Sequence, residues 1–226
     1  MYLEVKNLSK TISKAQILKD ITLSMERGRI YGLRGKNGSG KTMLMRSICG
    51  LILPTSGQVI IDGEILGKDI SFPRSIGALI ENPGFVSNYS GYKNLEILAS
   101  IQNKVGEKEI KSVMEELGLD PEDKKKFRKY SLGMKQKLGI AAAVMENPDM
   151  IILDEPINAL DEKTVSVVKD ILLRHKEHGA LIIISCHDRE ELEFLSDEIF
   201  CIDTGEITRS YVVGEENGNS DKGAEE

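Results

Sequence analysis

The chain has 226 residues, of which 40% are hydrophobic and 29% are charged; this composition excludes collagenous, disulfide-scaffold and wholly disordered proteins. Its 30 basic and 36 acidic residues give a formal charge of -6, which argues against sequence-independent binding to nucleic acid. The longest apolar runs cover a few residues, far fewer than the roughly 18 needed to span a bilayer, and the N-terminus lacks a signal-peptide pattern. We therefore expect one or two compact cytoplasmic domains.

The first third of the chain alternates short strands with turns. Alternating apolar residues on either side of a polar loop at 9–16 predict two antiparallel strands between residues 3 and 25. The apolar run 29–33 predicts a buried strand that leads into a glycine-rich loop, and a helix is expected at 43–48. A further strand and its hairpin are expected at 58–62.

The pattern becomes helical between residues 94 and 147, and short apolar strands return at 150–153 and 181–184 with a helix at 161–175 between them. Parallel strands joined by a helix form a βαβ unit, so an α/β core interrupted by a helical insertion is predicted. The last residues are polar and lack apolar periodicity, which indicates an acidic disordered tail. The expected division is a single domain at 1–213, with its core at 1–85 and 148–213, a helical subdomain at 86–147 and a tail at 214–226.

The three cysteines are Cys49, Cys186 and Cys201, which lie far apart in the sequence. They lack the paired spacing of a zinc or redox site, and each has apolar neighbours. We therefore expect buried, reduced thiols.

A glycine-rich loop follows the strand at 29–33 and precedes a helix, which is the context of a phosphate-binding loop. Glycines let successive N–H groups face one concavity, and the positive end of the helix favours an anion there. Lys41 is expected to reach the β- and γ-phosphates of a nucleotide as a catalytic group, and the Thr42 hydroxyl to join a Mg²⁺ site. The flanking strand and helix argue against a merely structural turn. The loop comprises Gly35, Lys36, Asn37, Gly38, Ser39, Gly40, Lys41 and Thr42.

The apolar strand at 150–153 ends in two acids, Asp154 and Glu155. Carboxylates at the C-terminal end of a core strand face the ligand crevice of an open α/β sheet. We expect Asp154 to hold Mg²⁺ and Glu155 to polarise an attacking water. Acids commonly end strands at the solvent boundary, so this pair indicates a nucleotide site only because the phosphate-loop pattern is also present.

The segment 130–137, Tyr-Ser-Leu-Gly-Met-Lys-Gln-Lys, precedes the acidic strand. A serine that caps a helix and a glycine beside it can present backbone N–H groups to an anion. From about residue 3 to 213 the chain resembles the nucleotide-binding subunit of an ATP-binding cassette (ABC) transporter, and this segment is similar to the signature motif of that family. The resemblance implies that Ser131 and Gly133 contact the γ-phosphate held by a second subunit, in a head-to-tail homodimer around two ATP molecules.

Two further segments carry the resemblance. Residues 158–161 are similar to the family's D-loop, which crosses the dimer interface, and His187 resembles the switch histidine that contacts the γ-phosphate and the attacking water. The family implies ATP hydrolysis with Mg²⁺. It also implies the α/β fold of ABC ATPases, with a mainly parallel core sheet, an N-terminal antiparallel β subdomain and an inserted helical subdomain.

The chain departs from the family pattern at three places. Leu132 and Met134 stand where Gly and Gln are usual, and this variant looks like the ABC exporters for bacitracin and lantibiotics. Glu81 replaces the glutamine of the Q-loop, as in lantibiotic self-protection ATPases; it is either a carboxylate near Mg²⁺ or an exposed loop residue. Ile12, or a neighbour within 11–14, replaces the aromatic residue that stacks on adenine, which predicts weaker selection between ATP and GTP.

The resemblance also implies a separate integral-membrane permease, with this chain peripheral on the inner face of the membrane and energising export of a drug or antimicrobial peptide. Phe85, Tyr89 and Tyr92 either contact a permease helix or fold back onto the core. The basic run 124–129 is either a solvated face or a contact with the permease or anionic lipid. A soluble ABC-type ATPase acting on nucleic acid or ribosomes is an alternative that the acidic balance disfavours, and the signature-like segment argues against a small-molecule kinase.

Overall fold

The computed structural model describes residues 1–81, 83–186 and 188–214, which form two β-sheets and six α-helices. The strands are β1 (Leu3–Ile12), β2 (Ala15–Met25), β3 (Arg29–Arg34), β4 (Ser56–Ile61), β5 (Glu64–Ile65), β6 (Ile76–Leu79), β7 (Met150–Asp154), β8 (Leu181–Cys186), β9 (Glu198–Asp203) and β10 (Glu206–Val212). The helices are α1 (Lys41–Ile48), α2 (Gly91–Gln102), α3 (Glu107–Glu116), α4 (Leu132–Val144), α5 (Glu162–Glu177) and α6 (Arg189–Leu195).

The smaller sheet is antiparallel, in the order β2-β1-β4-β5, and confirms the predicted antiparallel strands near the N-terminus. The prediction of a polar loop at 9–16 was wrong, because β1 and β2 stay paired as far as Ile12 and Ala15. The turn between them consists of Ser13 and Lys14, with φ of 48° and 73°, and left-handed turns of this kind match the twist of the flanking strands. Polar residues fit here because one face of an antiparallel sheet can remain in water.

The larger sheet has the order β10-β9-β3-β8-β7-β6, with β10 antiparallel at one edge and the other five strands parallel. It confirms the predicted mainly parallel core sheet. Every residue of β7 and β8 is buried, as expected where helices cover both faces of a parallel sheet. The sequence did not predict β6, β9 or β10; β6 has four residues and β10 is largely exposed, so neither gives a strong pattern.

The predicted helical insertion consists of α2, α3 and α4, and it interrupts the chain between the neighbouring strands β6 and β7. α4 lies so close to β6 that both elements need glycine. A Cβ on Gly77 would lie 1.7 Å from the Ala143 carbonyl oxygen, and a Cβ on Gly139 would lie 2.7 Å from a methyl carbon of Leu79. The insertion is therefore fixed to the core sheet through α4.

Other sequence predictions concern the rest of the chain. α5 connects β7 and β8 as predicted, and its N-cap Asp161 accepts a hydrogen bond from the Thr164 backbone N–H at 2.8 Å. Cys49 and Cys186 are buried free thiols as expected, whereas Cys201 is half-buried. Beyond residue 214 the predicted tail lies outside the described residues. In the part of the chain that the structure covers, no helix is both long and apolar enough to cross a bilayer.

Candidate functional site

The glycine-rich loop connects β3 to α1, which begins at Lys41. Gly38 and Gly40 have φ of 80° and 112°, in a region that glycine enters without steric cost. A Cβ on Gly35 would lie 2.3 Å from the Ile202 carbonyl oxygen of β9. The three glycines therefore let the backbone fold tightly in front of the N-terminus of α1, where unpaired N–H groups and the helix dipole favour an anion.

Lys41 lies beneath this loop and is 5% exposed. Its Nζ donates hydrogen bonds to the carbonyl oxygens of Gly35 at 2.6 Å and Lys36 at 3.3 Å. Burial lowers the pKa of Lys41, while the carboxylates of Glu155 and Asp154 act in the opposite direction on that pKa. The ammonium group is thus held by its own loop, close to the two acids.

Asp154 ends β7 and is 7% exposed. One of its carboxylate oxygens accepts a hydrogen bond from the Thr42 hydroxyl at 2.7 Å, and the other accepts one from the Ser185 hydroxyl. Sequence reasoning missed Ser185, although it is a hydroxyl residue in the otherwise apolar strand β8, beside Asp154 in the sheet register. The Thr42 hydroxyl and the Asp154 carboxylate are hard oxygen donors of the kind that Mg²⁺ prefers.

Glu155 follows Asp154 directly and has a φ of 51°. Its N–H donates to the Ser185 hydroxyl at 3.0 Å, and its carbonyl oxygen accepts from Gln136 Nε2 at 2.9 Å. Its carboxylate accepts from Asn158 Nδ2 at 2.6 Å. Neither Gln136 nor Asn158 was singled out from the sequence as a partner of Glu155. The Gln136 contact depends on how α4 packs against the end of β7, and the Asn158 contact depends on the conformation of the turn that follows Glu155.

Ser131 is the N-cap of α4, as the sequence predicts, and its hydroxyl accepts a hydrogen bond from the Met134 N–H at 3.2 Å. Leu132 is 61% exposed, so a leucine in place of glycine meets no steric obstacle. Gly133 lies against the turn that follows β7, since a Cβ on Gly133 would be 2.8 Å from the Ala159 carbonyl oxygen. The structure thus brings the signature-like segment into contact with the D-loop-like segment of the same chain.

Three predicted site residues have different surroundings. Glu81, with φ of 59°, forms an ion pair with Arg46 at 2.8 Å, one helical turn along α1 from Thr42. Ile12 lies at the end of β1 and is 42% exposed; further along this hairpin, the Ile17 carbonyl of β2 lies beside Gly40. His187 lies outside the described residues. The proposed roles of these three residues stay predictions.

Sequence comparison places the chain among known proteins. A model of the ABC transporter family matches residues 18–158. YybJ, an uncharacterized ABC transporter ATP-binding protein of Bacillus subtilis, is 47% identical over 93% of this chain and 97% of its own length. BcrA, the bacitracin transport ATP-binding protein of Enterococcus faecalis, is 40% identical over 94% of this chain and 70% of its own length. SrtF, a lantibiotic transport ATP-binding protein of Streptococcus pyogenes, is 37% identical over 91% of this chain and 88% of its own length.

Comparison with solved structures gives the same fold as that of known ATP-binding cassettes. An ATP-binding subunit of an ABC transporter superposes with a TM-score of 0.85 at 27% identity, over 94% of this chain and 90% of the other. A dimeric ATP-binding cassette bound to ADP and phosphate superposes with a TM-score of 0.84, over 93% of this chain and 98% of the other; at 23% identity this likeness shows the fold alone. On the family model and these relatives, the chain belongs to the ABC transporter family, as an ATP-binding subunit and ATPase.

Proposed function

We propose that this chain forms a head-to-tail homodimer that holds two ATP molecules with Mg²⁺ between its subunits and hydrolyses them. The observation that carries the proposal is the contact network at the edge of the core sheet. The hydroxyls of Thr42 and Ser185 donate to the two oxygens of the Asp154 carboxylate, and Glu155 follows on the same strand end. A glycine-rich loop, a pair of hard oxygen donors and a further carboxylate at one sheet edge support the binding and hydrolysis of ATP there.

The residues divide the chemistry as follows. The Lys41 ammonium offsets the negative charge of the β- and γ-phosphates. Thr42 and Asp154 would hold Mg²⁺, which when bound neutralises charge on the phosphate oxygens. A single carboxylate fits this ion, because Mg²⁺ keeps several waters and binds through one or two carboxylates plus phosphates; the described residues contain no group of three or more acidic, His or Cys side chains that would form an all-protein cage.

Glu155 accepts the proton of the attacking water in this proposal. In-line attack then requires that the water and the γ-phosphate are both held in place. The second subunit supplies the N-terminal end of α4, where Ser131 and Gly133 would contact the γ-phosphate through backbone N–H groups and the serine hydroxyl. His187 would contact the γ-phosphate and the water, as the family resemblance implies.

The test is the replacement Glu155→Gln, which keeps the shape of the side chain but removes its basicity. We expect this variant to bind ATP and to accumulate as an ATP-bound dimer, measured by size-exclusion chromatography with ATP and by phosphate release. Glu115→Gln, on the exposed face of α3, is the matched control and should leave turnover unchanged. Full turnover by the Glu155→Gln variant would contradict the assignment. Lys41→Ala should instead abolish nucleotide binding.

We further propose that the dimer energises export of a drug or cationic antimicrobial peptide through a separate integral-membrane permease, from the inner face of the membrane. The similarity to BcrA and SrtF, which are bacitracin and lantibiotic transport ATP-binding proteins, supports this substrate class. Tyr89 is 44% exposed and suits contact with a permease helix, whereas Phe85 packs edge-on against Phe127 at 5.1 Å. The basic side chains of the run 124–129, which precedes α4, are exposed and could also contact the permease or anionic lipid.

Co-purification from detergent-solubilised cells tests the partner. Recovery of a multi-span membrane protein with this chain supports export, and a Tyr89→Ala variant should recover less of it. Recovery of ribosomes or DNA instead would overturn the proposal in favour of a soluble ATPase.

Glu81 supplies a second carboxylate near the Mg²⁺ site in this proposal, with Arg46 as its counter-ion. Glu81→Gln should keep ATP binding but change the Mg²⁺ concentration at half-maximal turnover, and an unchanged metal titration would contradict this role. Ile12 offers no aromatic face to the base, so a nucleotide titration should give similar affinities for ATP and GTP; a strong preference for ATP would count against it.

A further inference from the structure

Glu155 is held by three different elements of the fold. β8 fixes its N–H through Ser185, α4 fixes its carbonyl oxygen through Gln136, and the turn after it fixes its carboxylate through Asn158. Both Glu155 and Ala159 have positive φ, at 51° and 63°. A left-handed conformation costs a non-glycine residue free energy, which contacts with the surroundings can offset. The contacts of Glu155 therefore help to set the conformation of this turn.

The signature-like helix α4 contacts the turn that carries Glu155 at two places. Gln136 is half-buried in the second turn of α4, with Nε2 2.9 Å from the Glu155 carbonyl oxygen. One turn earlier, the Gly133 backbone lies against the Ala159 carbonyl. The C-terminal half of α4 is clamped to β6 through Gly139. A shift of the N-terminal end of α4 would therefore also displace the turn that carries Glu155. The Gln136 side chain and the Gly133 backbone link the two segments within one chain.

We propose that Gln136 and Asn158 are positioning residues for Glu155, and that Gln136 makes the placement of this carboxylate depend on what α4 binds at its N-terminus. The inference rests on the proposed function, in which that N-terminus contacts the ATP of the partner subunit. Each cassette then hydrolyses its own ATP fastest when its α4 also grips the second nucleotide. Asn158 restrains the carboxylate so that it meets the water in one orientation.

The first test replaces Gln136 by Met, which has a similar shape and no donor. We expect kcat to fall about five- to tenfold, the worth of about one hydrogen bond. KM and the affinity of a single chain for a fluorescent ATP analogue should stay within about twofold of wild type, because Gln136 does not touch the phosphate loop. The Hill coefficient of turnover against ATP concentration should fall towards one.

Two further variants and a control separate positioning from general stability. Gln136→Lys keeps an N–H donor on a long side chain and should restore most of kcat and the Hill coefficient, whereas Gln136→Glu has no donor and should behave like Gln136→Met even if the Met variant folds poorly. Gln102→Met, on the exposed face of α2, is the matched control and should match wild type. Wild-type kcat and Hill coefficient in Gln136→Met or in Gln136→Glu would overturn the role of Gln136.

The second test concerns Asn158. Asn158→Ala removes the amide that donates to Glu155 Oε2 at 2.6 Å. We expect kcat to fall about five- to tenfold, the worth of about one hydrogen bond, while KM stays within about twofold of wild type. Wild-type kcat in Asn158→Ala, or an equal loss carried by KM alone, would overturn this part. If Glu155→Gln turns over ATP normally, the proposed function itself fails; if Glu155→Gln is inactive while these variants match wild type, only this inference fails.

Discussion

Replacing Ser185 by Ala tests whether the buried hydroxyl between the two acids does what its contacts indicate. Ser185 has no exposed surface, and its hydroxyl donates to Asp154 Oδ1 and accepts from the Glu155 N–H. Alanine removes both bonds without adding atoms. The Glu155 N–H keeps the Ser185 backbone carbonyl as an acceptor at 3.2 Å, so the main loss falls on the buried Asp154 carboxylate.

A hydrogen bond to a charged group contributes about 1.5–3 kcal/mol. The free energy of unfolding should therefore fall by about 1.5–3 kcal/mol, which for a chain of this size lowers Tm by roughly 3–12 °C. If the same energy is lost at the transition state because the carboxylate is no longer fixed, kcat falls roughly 13- to 160-fold. The affinity for nucleotide without metal should change little, because Ser185 contacts neither Lys41 nor the glycine-rich loop in the hydrogen-bond network.

Differential scanning calorimetry and phosphate release under saturating ATP measure these two quantities. Ser47→Ala is the matched control: Ser47 is equally buried, but its hydroxyl donates to the Met43 carbonyl within α1, a bond that costs little to lose in a helix. It should change the free energy of unfolding by less than about 1 kcal/mol and leave kcat unchanged. A Ser185→Ala protein that melts and turns over like wild type would refute the reasoning.

Two other predictions follow from close packing and from burial. Gly133→Ala would bring a Cβ to 2.8 Å from the Ala159 carbonyl oxygen, so the backbone must move at a cost of about 1–3 kcal/mol and ATP-dependent dimerisation should weaken. Gly84→Ala, with open space around it, is the control. Equal dimerisation by both variants would contradict the clash. Iodoacetamide at pH 8 should label Cys201 first, because burial raises the pKa of Cys49 and Cys186 to about 12 and the thiolate is the reactive form. Peptide mass spectrometry measures the order in which the three cysteines are alkylated. Early labelling of Cys49 or Cys186 would contradict their burial.

Local patterns made much of the site predictable from the sequence. The glycine-rich loop at 35–42 is one contiguous segment, so the spacing of its glycines and Lys41 is enough to predict its conformation. The N-cap Ser131 is likewise local, and the continuous apolar runs of β7 and β8 indicate strands buried on both faces. The hairpin tip was missed because cross-strand pairing overrides the polarity of residues 9–16.

The sequence by itself determined the family, the glycine-rich loop between a strand and a helix and the two acids at the end of β7, because each depends on neighbouring residues. Only the tertiary structure decided which side chains surround those acids. Ser185 faces Asp154 through the register of β7 and β8, and Gln136 reaches Glu155 because α4 packs against the core. Glu81, after β6, pairs with Arg46 of α1, which is distant in the sequence. Contacts between distant segments depend on register and packing, which no local pattern of residues encodes.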